Sequence, residues 1–153
     1  MIGEPLSENR KKCEQKDKYG TPDKLFQKLD EEFGFTLDPC CEIVTAKCNK
    51  FYTEEDNGLT KSWKGETVFC NPPYSRGNID LWVSKCYQES GSAIVVGLLP
   101  VSTSTKWFKK YIVDKAEIRF INKRVRFNGA TGSPLFSSMI VIWGRSGFGT
   151  FDQ

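Results

Sequence analysis

Apolar residues recur at helical spacing in three places along the chain. After Thr21-Pro22, which reads as an N-cap followed by the proline favoured in a first turn, Leu25, Phe26, Leu29 and Phe33 share one helical face. Gly34 ends that helix. A second stripe, Ile79, Trp82, Val83, Cys86 and Tyr87, follows the loop Ser75-Arg76-Gly77, and a shorter one holds Trp107, Phe108 and Tyr111. Between the helices lie short apolar runs: Phe35-Thr36-Leu37, then Thr67-Val68-Phe69-Cys70, then residues 93–99, which read as a central strand ended by Pro100. Residues 117–121, 124–127 and 138–143 read as late strands, separated by Asn122-Lys123 and a glycine-rich loop at 128–132. Alternating strands and helices followed by late strands predict an α/β open sheet with an antiparallel C-terminal edge. Residues 1–18 are dense in charge with little periodicity and predict a loose polar arm, leaving 19–153 as one domain.

Composition narrows the chemistry. The chain has no histidine, so Ser-His-Asp and Cys-His catalysis are excluded. Its six cysteines form no C-x-x-C pair, which argues against a structural metal. The longest apolar stretch, residues 93–99, is too short to span a bilayer, and the polar N-terminus is no signal peptide. No membrane partner is therefore expected, and reduced thiols in a cytoplasmic setting are. A net charge of +3 permits a polyanionic partner without requiring one.

The most informative stretch is Asn71-Pro72-Pro73-Tyr74, because it ends an apolar run with two residues that lack a backbone N–H. The Asn71 amide and the proline carbonyls are hydrogen-bond acceptors, and Tyr74 has a flat face. Together they suit an exocyclic amino group on a planar heterocycle. The bland alternative is a strand ending in a Pro-Pro turn with Tyr74 merely packed. In open α/β sheets ligands bind beyond the carboxyl ends of strands, and Asp38, Asn71 and the segment from Pro100 to Thr103 all follow predicted strands. Asp56 lies in the polar link Glu54-Glu55-Asp56-Asn57-Gly58-Leu59, where its carboxylate can meet an adenine amino group or a sugar hydroxyl, or simply solvent.

An ordered set of segments carries a resemblance. Thr21-Pro22 with Leu25-Phe26, the run Phe33-Gly34-Phe35-Thr36-Leu37-Asp38, Ala46-Lys47-Cys48, Tyr52-Thr53, Asp56-Asn57-Gly58-Leu59, Trp63 and Asn71-Pro72-Pro73-Tyr74 occur in that order. Trp82-Val83, Leu98-Leu99-Pro100, Trp107-Phe108 and Arg126-Phe127 complete it. From about Thr21 to Trp143 the chain resembles the phage-type DNA N6-adenine methyltransferase family. The resemblance implies a Rossmann-like methyltransferase sheet, S-adenosylmethionine (SAM) as methyl donor, no metal, DNA as partner, and the host cytoplasm as setting if the gene is carried by a phage or prophage. By position, Thr21-Pro22 resembles the segment touching the methionine end of SAM. Asp38-Pro39-Cys40 resembles the acidic turn near the donor's amino group, Asp56 the acid that recognises its adenine, and Asn71, Pro72, Pro73 and Tyr74 the catalytic loop.

The same resemblance supplies a mechanism. The target adenine is flipped from the duplex and stacks on Tyr74. Asn71 Oδ1 and the Pro72 carbonyl accept its two amino hydrogens, and positioning rather than a strong base drives transfer. Asn rather than Ser at position 71 favours adenine over cytosine. Arg76, Arg124 and Arg126 are candidates for DNA contacts, the last two alternating with Val125 and so expected on one side of a strand. Two departures stand out. The first strand is followed by Asp-Pro-Cys-Cys rather than a glycine-rich turn, and the interval from Asp38 to Asp56 is too short for a full helix-strand-turn unit. A trimmed donor pocket is expected. Methylation of RNA adenine or of a protein glutamine, and a non-catalytic DNA-binding relative, remain alternatives.

Overall fold

The computed structural model describes residues 20–130 and 136–145. The polar arm expected at residues 1–18 lies outside them. Helix α1 (Asp23–Phe33) starts directly after Pro22 and stops at Gly34, whose φ of 67° lets its N–H reach back to the Asp30 carbonyl at 2.8 Å. Thr21 is not its cap. No side-chain cap bond forms there, and the Thr21 hydroxyl is committed elsewhere. Strand β1 (Leu37–Asp38) begins two residues later than the sequence pattern suggests and includes Asp38.

A single turn of 3-10 helix (Ile43–Thr45) fills the interval after β1, where the sequence leaves no room for a full crossover helix, and delivers the chain to β2 (Lys50–Phe51). The sequence pattern misses this strand. It then runs through β3 (Thr67–Cys70), α2 (Asn78–Glu89), β4 (Ile94–Pro100), α3 (Lys106–Tyr111), β5 (Glu117–Phe120) and β6 (Ser138–Trp143).

The strands form one sheet in the order β2-β1-β3-β4-β6-β5. β2, β1, β3 and β4 are parallel, with Leu37 opposite Val68 and Cys70 opposite Gly97, while β6 runs antiparallel to both β4 and β5. This is the open α/β sheet with an antiparallel C-terminal edge that the pattern predicts.

Side-chain alternation sends the strands' residues into two cores. Val68, Cys70, Val95, Leu99, Val141 and Trp143 pack under α2 and α3, whereas Phe69, Val96, Leu98, Ile140 and Ile142 pack under α1. Residues 95–99 of β4 are buried on both faces. Each fully buried Val or Leu side chain contributes about 1.5–3 kcal/mol.

Residues 124–127, expected as a strand, are not one. Val125 and Phe127 are buried against the α1 core, and Arg124 and Arg126 point outward, but the segment pairs with no strand. The alternation reflects which side chains are buried, and no hydrogen-bonded ladder accompanies it. Because β5 runs parallel to β4, the end of β5 and the start of β6 lie at the same sheet edge as the carboxyl ends of β1, β3 and β4. Among the described residues no helix is long and apolar enough to cross a membrane.

Candidate active site

A cavity of about 410 Å3 opens at that carboxyl edge, within the range of small-molecule sites. Its walls come from the ends of β1 and β3, the start of α2 and the loop after β2. Asp38 closes one side. It is only 3% exposed, and its carboxylate accepts the backbone N–H of Lys47 at 3.0 Å and of Cys40 at 3.4 Å. Burial holds the carboxyl above its usual pKa, outweighing the lowering effect of the two backbone donors. A buried acid in a ligand-sized cavity suits an ammonium group. Pro39 and Cys40 also line the wall, as does Lys47, whose ammonium pairs with Asp23 at 2.6 Å.

Asn71 and Pro73, after the neighbouring strand, also line the cavity. Prolines at 72 and 73 stop β3 at Cys70, so the Asn71 amide stands at the strand end. Its Nδ2 donates to Thr21 Oγ1 at 3.0 Å, and Thr21, 3% exposed, lines the cavity too. Pro72 is buried and lies outside the wall, and Pro22 is half-buried and outside it as well. Tyr74 reaches another environment. Its hydroxyl donates to the Leu98 carbonyl at 2.6 Å, one residue past the point where β4 loses β3 as a neighbour. Its ring meets Phe127 and Phe136 edge-on, at 6.1 and 5.6 Å between centroids. Burial holds the phenol well above its usual pKa, so it stays protonated.

Asp56 is exposed and not on the cavity wall. Its Oδ2 accepts both the N–H of Thr53, at 2.9 Å, and the Thr53 hydroxyl, at 3.1 Å, and these bonds lower its pKa. The carboxylate thus closes the turn that brings Thr53, Glu54 and Gly58 to the cavity. Sequence reasoning missed those three, along with Lys47 and Trp82. For Glu54 and Lys47 the signal was present, in the acidic run and in Ala46-Lys47-Cys48. Trp82 reads only as helix core, and it does stack on buried Trp63 at 6.4 Å. Arg76, Arg124 and Arg126 are exposed and lie outside the cavity, in loops at the same sheet edge. Burial pushes the Cys48 thiol up to about 12 and Cys41 higher still, so neither is a thiolate nucleophile at neutral pH. Among the described residues no cluster of three or more metal-ligating side chains occurs.

Gly58 fixes the spacing of the loops that follow β1 and β2. A Cβ there would lie 2.1 Å from the Pro39 carbonyl oxygen, and Trp63 Nε1 holds the Gly58 carbonyl at 3.1 Å from behind. Gly58→Ala must push the loops apart against the tryptophan, at about 1–3 kcal/mol. The expected result is a lower melting temperature, together with weaker binding by calorimetry of SAM, the donor that the family resemblance implies. Unchanged values of both would mean the loops part freely.

Residues 8–145 match the family described as DNA N-6-adenine-methyltransferase (Dam). The chain is similar to a DNA N-6-adenine-methyltransferase of Haemophilus phage HP1 (strain HP1c1), 35% identical over 133 residues that cover 83% of this chain and 76% of the phage protein. It is also similar to a protein of the same name from Escherichia phage T1, 36% identical over 110 residues, 69% of this chain and 45% of that protein.

Proposed function

This chain belongs to the DNA N-6-adenine-methyltransferase (Dam) family, and we propose that it moves the methyl group of SAM to the N6 amino group of adenine in DNA, with Asn71 at the reacting centre. The observation that carries this reading is that Asp38 and Asn71, at the ends of neighbouring strands, line one cavity of about 410 Å3. The residues present fit SAM. Buried Asp38 suits the ammonium of its methionine part, Thr53 and Glu54 present polar groups, and Leu59 and Trp82 give apolar surface for the adenosine. When bound, SAM supplies an electrophilic sulfonium methyl.

The protein's part is placement. Asn71 Oδ1 and the Pro72 carbonyl accept the two amino hydrogens of a flipped adenine, drawing the nitrogen toward a tetrahedral shape and freeing its lone pair. The ring of Tyr74 stacks on the base, an interaction worth roughly 1–3 kcal/mol that offsets much of the flipping cost. Asp56 serves the donor side through the turn it closes.

The test is transfer of labelled methyl from SAM to unmethylated genomic DNA, to RNA and to protein, followed by modification-aware sequencing. Label in N6-methyladenine of DNA is expected. Label confined to RNA or to protein glutamine, or no SAM binding by calorimetry, would sink the proposal in favour of a different methyl acceptor or a non-catalytic relative.

DNA is held by a local patch, since the net charge is only +3. Arg76, Arg124 and Arg126 face solvent on loops of the carboxyl edge. Neutralising Arg124 and Arg126 together should lower the salt slope of DNA binding by about one unit per lost phosphate contact and leave SAM affinity alone. An unaltered slope would place the DNA path elsewhere.

A further inference from the structure

We infer that Lys47 holds the carboxylate at the amino-acid end of the methyl donor, beside the Asp38 that takes its ammonium. This rests on the reading of the cavity as the SAM site. The methionine part of SAM ends in two opposite charges on one carbon, so a wall that binds it needs an acid and a cation side by side. Asp38 supplies the acid. Among the described residues of the cavity wall, the other charged side chains are Glu42, Glu54 and Lys47. Two of these are acids that would repel a carboxylate, which leaves Lys47.

Lys47 stands where that role requires. Its backbone N–H donates to Asp38 Oδ2 at 3.0 Å, so its stem starts at the acid. Burial dominates the Asp38 pKa and raises it, and the nearby Lys47 charge acts against that rise. The ammonium reaches Asp23 Oδ1, at 2.6 Å, in the first turn of α1. Asp23 lies two residues past Thr21, itself a wall residue. The two partners are unequally buried. The Lys47 side chain is 14% exposed and its ammonium sits 5.9 Å from the centre of the Phe26 ring, whereas the Asp23 side chain is 77% exposed. An acid that open pairs weakly and returns to water at little cost. A ligand carboxylate arriving from the cavity can take its place, and the largely buried cation keeps a charged partner throughout. Without the donor, Asp23 fills the position of its carboxylate.

The test compares SAM with decarboxylated SAM, which lacks only that carboxylate, by calorimetry on the full chain, on Lys47→Met and on Asp23→Asn, with melting temperatures alongside. Lys47→Met keeps the apolar stem and removes the charge. It should lose about tenfold or more in SAM affinity, the scale of one charge-assisted hydrogen bond, and bind decarboxylated SAM no more weakly than the parent does. The ratio of the two affinities therefore shifts about tenfold toward decarboxylated SAM. Asp23→Asn should bind SAM as well as the parent or better, since the competing acid is gone. If Lys47→Met does not fold, Lys47→Gln carries the same comparison. An unchanged ratio, whether both affinities fall together or neither moves, would overturn the inference and make Lys47 a structural tie between its loop and α1. An Asp23→Asn variant that weakens SAM as much as Lys47→Met does would overturn it too. A parent that binds neither ligand would sink the reading of the cavity as the SAM site, and this inference with it.

Discussion

Replacing Asn71 by alanine should lower methyl transfer by a factor of about 10²–10³ or more while the SAM dissociation constant stays nearly unchanged. Removing one preorganised hydrogen-bonding group aimed at a reacting centre costs this much in other enzymes. Here no histidine is present to compensate. Donor affinity is spared because the buried acid proposed to hold SAM is Asp38, at the end of the neighbouring strand. The substitution also leaves Thr21 Oγ1 without its donor, a stability cost of about 1 kcal/mol. Circular dichroism and melting are therefore part of the measurement. A folded variant with full turnover would remove Asn71 from the chemistry, and a variant that fails to fold would make it structural.

The second large effect is expected at Tyr74, and the structure separates its two ends. The ring packs against both cores, while the hydroxyl holds the Leu98 carbonyl at 2.6 Å. Tyr74→Ala loses the stacking face and opens a cavity, so turnover should drop by about ten- to a hundredfold on stacking alone. Stability should fall by about 3–5 kcal/mol, as for other aromatic-to-alanine changes in cores. Tyr74→Phe keeps the face and strips the Leu98 carbonyl of a donor, which costs about 1–3 kcal/mol of stability. It should retain most turnover when assayed well below its melting temperature. Fluorescence of 2-aminopurine at the target position reports flipping directly. It should rise on binding to the parent and the Phe variant, and fail to rise with Ala. Equal losses in Phe and Ala would assign the effect to the hydroxyl's hold on β4 and not to stacking.

Much of the architecture was legible because it is written locally. The stripes that became α1, α2 and α3, the apolar run of β4 and the proline stop after β3 each depend on neighbours within a few positions. The location of Asn71 at a strand end follows from the same local grammar, and so does the absence of histidine chemistry. β2 was invisible because two residues, Lys50 and Phe51, have no period to display. It exists only through its parallel pairing with β1. The alternation at Arg124, Val125, Arg126 and Phe127 was misread for the converse reason, since burial of alternate side chains imitates a strand where no partner strand is present.

The site divides along the same line. Residue types and order determined that an acid and an amide would stand at neighbouring strand ends, Asp38 as the last residue of β1 and Asn71 just past β3, because proline and the apolar runs terminate strands without help from the rest of the chain. Three things were decided only by the tertiary structure: that Thr21 grips Asn71, that Gly58 abuts the Pro39 carbonyl, and that Asp56 serves its own turn and not the cavity wall. The first two are distances between segments far apart in sequence, and the third depends on which way a turn faces. The first two leave no trace in the spacing of residues, because they arise from how α1 and the loops after β1, β2 and β3 are packed against one another.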